Sequence, residues 1–228
     1  MKSIRRVMSI AVEEEIIPYD KNPFLRYKLV TEATEKNFLI DEEILKLETV
    51  ECIESSMIEV HRDAFIFSSY AGGLRFSDIC LLRWENFHEG FITVKTKKTG
   101  STVTIKLPNK ALTILNQYRP ESPKGKDFVF PLLDTDFDNS DFRFKAEEIS
   151  RNNAKMNQSL KKLAEMAGIE KHFSFHTARH TFATRALRKG MRIEYVSKLM
   201  AHSDIKVTQV YAKIVNEELD KAMDEYMN

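Results

Sequence analysis

Two short stretches alternate apolar and polar residues with a period of two, GFITVKT (residues 90–96) and STVTIKLP (101–108), and the four residues between them read KKTG. Ile92 and Val94 share one face of the first stretch, and Val103, Ile105 and Leu107 share one face of the second. A helix, with 3.6 residues per turn, would scatter those side chains around its circumference, whereas a strand buries them together. The pair therefore reads as an antiparallel hairpin with a lysine-bearing turn. Most of the remaining chain carries helical periodicity, so the expected fold class is mostly α with one small antiparallel β-sheet (α+β).

The helices are punctuated clearly. Residues 4–17 read as one helix with Val7, Ile10 and Ala11 on a face, ended by the turn-like PYDKNPF. A short helix that cannot bury its own stripe belongs to a larger unit, so residues 1–33 are expected to be the last helix of an N-terminal domain plus a linker, with the main domain at 34–228. Asp41 is an N-cap candidate before EEILKLETVECIE, and SSMIEVHRDAFIFSSYAGG runs to a Gly-Gly stop. From Asn109 onward the pattern is helical apart from the acidic loop PLLDTDFDNSDF. Helices are expected in NNAKMNQSLKKLAEMAG, HTARHTFATRALRKG, IEYVSKLMAH, DIKVTQVYAKI and, after a short link VNE, in EELDKAMDEYM. Gly168 and Gly190 act as C-terminal stops.

Composition bounds the function classes. No window approaches the roughly 18 consecutive apolar residues of a membrane span, and the N-terminus lacks the long apolar core of a signal peptide, so a cytoplasmic protein without membrane contact is expected. Cys52 and Cys80 share no C-x-x-C spacing and sit in apolar surroundings, so both are expected buried and reduced. The net charge of +1 conceals a dipole: residues 143–213 hold 15 Lys+Arg against 6 Asp+Glu, leaving 20 against 28 for the rest. A basic region of this kind suits solvated helix faces or a phosphate-rich ligand.

That region contains SFHTARHTFATRALRKG, which places His176, Arg179 and His180 within five positions at a helix start. A zinc site would need Glu after the first histidine, where Thr177 stands, and Arg179 on the same face repels a divalent cation. Cations at a helix N-terminus also oppose the macrodipole, so they are there for a reason, and an anion supplies one. Ala178, Phe182 and Ala186 recur at i, i+4, i+8 and would anchor the helix in the core. The D-x-D-x-D run at Asp134, Asp136 and Asp138 is not a calcium loop, since Asn139 stands at the sixth position and Lys145 at the twelfth. No metal and no cofactor are expected.

Other cations accompany the first three. Arg75 follows the Gly-Gly break with Asp78 three residues on to hold it, which alone reads as a surface salt bridge. Lys97 and Lys98 lie at the hairpin tip, where lysines also serve edge protection. His202 precedes a Ser203/Asp204 cap, and Tyr211 lies on the helix that follows, where a tyrosine alone reads as core.

In their order and spacing, GLRFSDI, KTG between two strands, FHTARHTFAT and MAHSDIKVTQVYAKI resemble the tyrosine recombinase or phage integrase family. The resemblance covers about residues 34–228, with Met200-Ala201 where the family often has Leu-Gly. It implies a catalytic domain that cuts and rejoins double-stranded DNA site-specifically through a 3′-phosphotyrosyl intermediate, for a mobile element. A type IB topoisomerase and a non-catalytic DNA-binding relative are the alternatives. The implied catalytic residues are Arg75, Lys98, His176, Arg179, His202 and Tyr211. Tyr211 would be the nucleophile, Arg75 and Arg179 the phosphate clamp, and His202 a further donor to the phosphate. Lys98 would protonate the leaving oxygen, His176 would assist proton transfer at the tyrosine, and His180 would buttress. Chemically, metal-free phosphodiester cleavage needs those parts: a nucleophile, neutralisation of the non-bridging oxygens and a proton for the 5′-oxygen. The surrounding cations are expected to favour the Tyr211 phenolate. The resemblance further implies a homo-tetramer on DNA and a monomer when free, with Leu219, Ala222, Met223 and Tyr226 forming a docking stripe on the last helix.

Overall fold

A computed structural model describes residues 2–27, 37–97, 100–134 and 142–227. The chain divides into two compact units, Met1–Glu35 and Lys36–Asn228. In the first, helix α1 spans Lys2–Glu13 and a 3-10 turn spans Tyr19–Lys21. The helix ends before residue 17 because Glu15 turns left-handed at φ 57°, which lets Ile16 N–H reach back to the Ala11 carbonyl at 2.8 Å. Ile4, Val7 and Ile10 on its apolar face are exposed.

The second unit is built around one helix. α2 (Asp41–Glu48) and α3 (Met57–Tyr70) are followed by α4 (Phe76–Cys80), a 3-10 turn and the sheet. Then come α5 (Asn109–Gln117), α6 (Phe142–Met166), α7 (Phe175–Arg188), α8 (Ile193–Leu199) and α9 (Lys206–Met227). α3 is buried on nearly every side from Val60 to Ser69 and packs against α2, α5, α6 and α7. Such a helix must satisfy its polar side chains internally. Ser68 Oγ donates to the Leu74 carbonyl at 2.8 Å, Ser69 Oγ to the Phe65 carbonyl at 2.9 Å, and Asp63 accepts from Arg62 and from Tyr118 Oη. Phe65 meets Phe173 and Phe175, which fastens the loop before α7 to the core.

The sheet is three-stranded in the order β1 (Phe87–His88), β2 (Phe91–Lys95), β3 (Thr102–Lys106), all antiparallel. Ile92 pairs with Ile105 and Val94 with Val103, all four buried, while Thr93 and Thr104 face outward with hydroxyls 3.0 Å apart. Each buried Val or Ile contributes about 1.5–3 kcal/mol, so the alternation fixes register as well as existence.

Several boundaries differ from the sequence expectation. Ile40, not Asp41, occupies the N-cap of α2: Glu43 accepts the Ile40 N–H at 2.8 Å, and Asp41 pairs with Arg185 instead. The stretch after α5 is not helical to residue 130. Pro120 and Pro123 remove donors and stop the helix, and the chain pairs with the 3-10 turn through Trp84 N–H to Asp127 O at 3.1 Å and an Arg83–Phe128 bridge. α6 begins at Phe142, ten residues before the expected start, and α9 continues unbroken through VNE. Cys80 is buried but Cys52 only half-buried, both thiols being free. Among the described residues no helix is long and apolar enough to cross a membrane.

One buried titratable group gives a stability prediction. His61 Nδ1 lies 2.7 Å from Ser159 Oγ, joining α3 to α6, and burial together with the Lys155 charge lowers its pKa from 6.5 to about 4. Above pH 6.5 the ring is neutral in both folded and unfolded chains. Between pH 6.5 and 4 only the unfolded chain takes up the proton, so stability falls as the pH drops through that window. The expected loss from this group is on the order of 2 kcal/mol. Urea unfolding at pH 7 and pH 4.5 should show a smaller loss for His61→Asn than for the wild type; an equal loss would contradict the assignment.

Candidate active site

The site forms where α3 ends, α7 begins and α8 hands over to α9. Gly72 and Gly73 both turn left-handed, at φ 70° and 63°, and Gly73 N–H closes on the Ser68 carbonyl at 3.0 Å. This reversal brings the Gly73 carbonyl against α7, where it accepts from Arg179 Nη1 at 2.7 Å. The Met200 carbonyl, at the C-terminus of α8, accepts from Arg179 Nη2. Two backbone carbonyls from separate elements thus fix the guanidinium plane. Ala178, Phe182 and Ala186 are buried as the i, i+4, i+8 pattern predicts, so α7 cannot rotate away.

Arg179 is 4% exposed. Burial, reinforced by the Arg75 charge, brings its pKa down to about 10, with Tyr211 and Asp78 opposing, so it remains a cation at neutral pH. Arg75 is the N-cap of α4, and its Nη1 is buried without a hydrogen-bond partner among the described residues. A buried guanidinium nitrogen lacking an acceptor is costly, which points to a ligand bringing an oxygen. Asp78 does not hold Arg75 by a direct ion pair. Its Oδ1 instead accepts the Lys97 N–H at 3.0 Å, tying the hairpin turn to α4, while its Oδ2 is buried and unpartnered among the described residues. Burial raises the Asp78 pKa against the Lys97 hydrogen bond and the Arg75 charge. Lys98 lies outside the described residues.

His202 follows Ala201, which adopts the left-handed φ of 51° at the end of α8; there the His202 N–H returns to the Ser197 carbonyl at 3.0 Å. A glycine would adopt that conformation without strain, whereas Ala201 carries its Cβ there. His202 Nδ1 meets Thr208 Oγ1 at 2.8 Å, which orients the ring from the first turn of α9, and Asp204 Oδ1 accepts the Lys206 N–H at 2.9 Å at the helix entry.

Tyr211 is 4% exposed, with its hydroxyl 2.7 Å from His180 Nδ1. His180, read from sequence as a buttress, is therefore in direct contact with the tyrosine. His176 is exposed and packs edge-on against His180, with ring centroids 4.6 Å apart at 84°. Burial raises the Tyr211 pKa above its usual 10, outweighing the opposing charges of Arg179 and Arg75. The two arginines do favour the phenolate, but in the free chain burial outweighs them and the tyrosine keeps its proton.

Arg75, His176, Arg179, His202 and Tyr211, five of the six residues singled out in the sequence, line one cavity of about 330 Å³, and His180 lines it too. Spacing placed His176, Arg179 and His180 on one helix start, but nothing in the sequence pairs His180 with a side chain 31 residues away. Among the described residues no group of three His, Cys, Asp or Glu is placed to hold a metal. The cavity's chemistry is cationic around one buried hydroxyl, suited to a phosphate ester.

Residues 37–218 match the family model described as "Phage integrase family". The tyrosine recombinase XerA of Pyrococcus furiosus is 31% identical over 194 residues, covering 82% of this chain and 60% of that protein. Among solved structures, a Tn1549 transposon integrase in complex with a circular intermediate DNA aligns with a TM-score of 0.64 at 20% identity, covering 92% of this chain and 72% of the other. A lambda integrase dimer bound to a COC′ core site aligns with a TM-score of 0.65 at 16% identity, over 92% and 70%. The chain spans between 60% and 64% of the length of the first curated relatives it matches. With its larger unit matched in sequence almost from end to end, and with the same fold as the solved recombinases, the chain belongs to the phage integrase family of tyrosine recombinases.

Proposed function

We propose that this chain is the catalytic part of a site-specific DNA recombinase that cuts and rejoins double-stranded DNA through a 3′-phosphotyrosyl intermediate. The observation that carries the reading is that Tyr211, Arg179, His202 and Arg75 line one cavity, with the Arg75 Nη1 buried and without an acceptor among the described residues. A phosphodiester in that cavity would present its non-bridging oxygens to both arginines, which bind them more directionally than lysine. In cleavage the Tyr211 Oη–P bond forms and the P–O5′ bond breaks, leaving a free 5′-hydroxyl. Lys98, by the family pattern, gives the leaving oxygen its proton. Rejoining reverses each step, so bond energy is kept without a nucleotide cofactor.

The basic stretch from 143 to 213 supplies the phosphate contacts of the DNA footprint. The likeness to a transposon integrase supports service to a mobile element. Residues 1–33 fit the end of a preceding DNA-clamping domain and its linker, before a catalytic domain at 34–228. Assembly is read as a tetramer on DNA from free monomers: Leu219 and Met223 of the expected stripe are exposed on α9, while the Ala222 and Tyr226 side chains lie outside the described residues.

The deciding experiment is a suicide cleavage assay. DNA joined to Tyr211 in cells is sequenced to find the site, and a nicked duplex of that site is then incubated with the protein and resolved on a denaturing gel. A covalent adduct is expected, and it should persist in excess EDTA because arginines and histidines supply the charge neutralisation here. Absence of any adduct would sink the recombinase reading; an adduct lost on chelation and restored by zinc or magnesium would return His176 and His180 to a metal role.

A further inference from the structure

The hydroxyl whose proton must leave Tyr211 has a ring nitrogen of His180 in contact. We propose that His180 is a catalytic residue: its Nδ1 takes the Tyr211 proton as Oη attacks phosphorus and returns it when the DNA is rejoined. This rests on the recombinase reading above and departs from the family-derived expectation that His176 handles that proton.

Geometry is the ground for it. The Nδ1···Oη distance of 2.7 Å lies within the reach a general base requires. The His180 ring is also held in place. It is buried on α7, with the His176 ring edge-on at 4.6 Å on one side and the Tyr211 ring at 5.5 Å and 46° on another. A base fixed against its nucleophile spares the transition state the cost of bringing the two together. His176, by contrast, is exposed and packs against His180. Burial keeps the hydroxyl protonated at rest, and the proposed transfer requires that it donate to Nδ1, with the ring proton on Nε2.

The step balances. Oη–P forms, P–O5′ breaks, and the phenolic proton moves to Nδ1, leaving an imidazolium beside the phosphotyrosine. A separate acid protonates O5′. On rejoining, the 5′-hydroxyl loses its proton to that acid's conjugate base, and the imidazolium reprotonates Oη as it leaves. An imidazole takes up a proton at one ring nitrogen and gives it back from the same nitrogen, so one side chain serves both directions.

Two measurements test the assignment. In the free protein with ¹⁵N-labelled histidine, long-range ¹H–¹⁵N correlation should show His180 protonated at Nε2 and bare at Nδ1, with the Nδ1 resonance shifting in Tyr211→Phe. A proton found on Nδ1 would overturn the proposal without touching the recombinase reading. In single-turnover cleavage of the nicked site, His180→Asn keeps an acceptor near the Nδ1 position but cannot carry the proton. It should bind DNA and melt as the wild type does, yet form adduct about a hundredfold more slowly or worse. His180→Ala should regain rate on addition of imidazole, which a purely structural role would not allow. His180→Asn cleaving at the wild-type rate would refute the proposal, whereas a wild type that forms no adduct in the same assay fails the recombinase reading itself.

Discussion

Tyr211→Phe is expected to eliminate the covalent protein–DNA adduct, a loss of more than about 10⁴-fold, while leaving DNA affinity within about twofold. The substitution removes one oxygen from a ring that is 4% exposed, so the ring keeps its packing in the second hydrophobic cluster with Phe182, Ala183 and Val196. Its described hydrogen bond is to His180 Nδ1 at 2.7 Å. Losing it costs about 1–3 kcal/mol, too little to unfold a domain of this size. The phosphate-binding groups Arg75, Arg179 and His202 are untouched, which is why binding should survive. Gel retardation and a denaturing gel on the same samples check both halves. An adduct retained by the phenylalanine variant would show another residue to be the nucleophile.

The contrast between legible and illegible parts follows the range of the interactions concerned. The hairpin was readable because Ile92, Val94, Val103 and Ile105 encode their register in period-two alternation, a property of neighbouring residues. The Gly72-Gly73 reversal and the buried face of α7 were readable for the same reason: each is a local pattern with one physical solution. The site residues announced themselves through order and spacing, and the fold brings the five described ones to one cavity. What escaped depends on distant partners. Asp78 was expected to hold Arg75, but its Oδ1 accepts from Lys97, 19 residues away in the hairpin turn. His180 meets Tyr211 across 31 residues. The net protonation state of Tyr211 was not legible because charges are visible in a sequence while burial is not, and here desolvation exceeds the pull of two arginines. The unbroken α9 replaced two helices because VNE contains no glycine or proline to stop the first one.

The second large effect is expected at Gly73, where backbone, packing and the phosphate clamp coincide. At φ 63° an L-residue adopts a conformation that costs about 1–2 kcal/mol relative to glycine. A Cβ there would also meet Arg179 Cα at 3.1 Å, Arg179 Cγ at 3.2 Å and Phe182 Cβ at 3.3 Å. The first of these is helix backbone, held by the buried face of α7, so relief requires α7 and the α3 terminus to separate by a few tenths of an ångström. Overpacking of this kind adds about 1–3 kcal/mol, for a total of roughly 2–5 kcal/mol. Separation would also stretch the 2.7 Å bond from Arg179 Nη1 to the Gly73 carbonyl and turn the guanidinium away from the cavity. Gly73→Ala should therefore lose cleavage even at temperatures where it remains folded, since misplacement by a fraction of an ångström weakens a phosphate clamp. Gly90→Ala is the control: Gly90 has a similar φ of 83°, but a Cβ there meets nothing within 4 Å. It should cost about 1 kcal/mol through the backbone alone and leave cleavage intact. Urea unfolding of the two variants separates the contributions, and equal losses at both positions would show that α7 does not press on Gly73 as described.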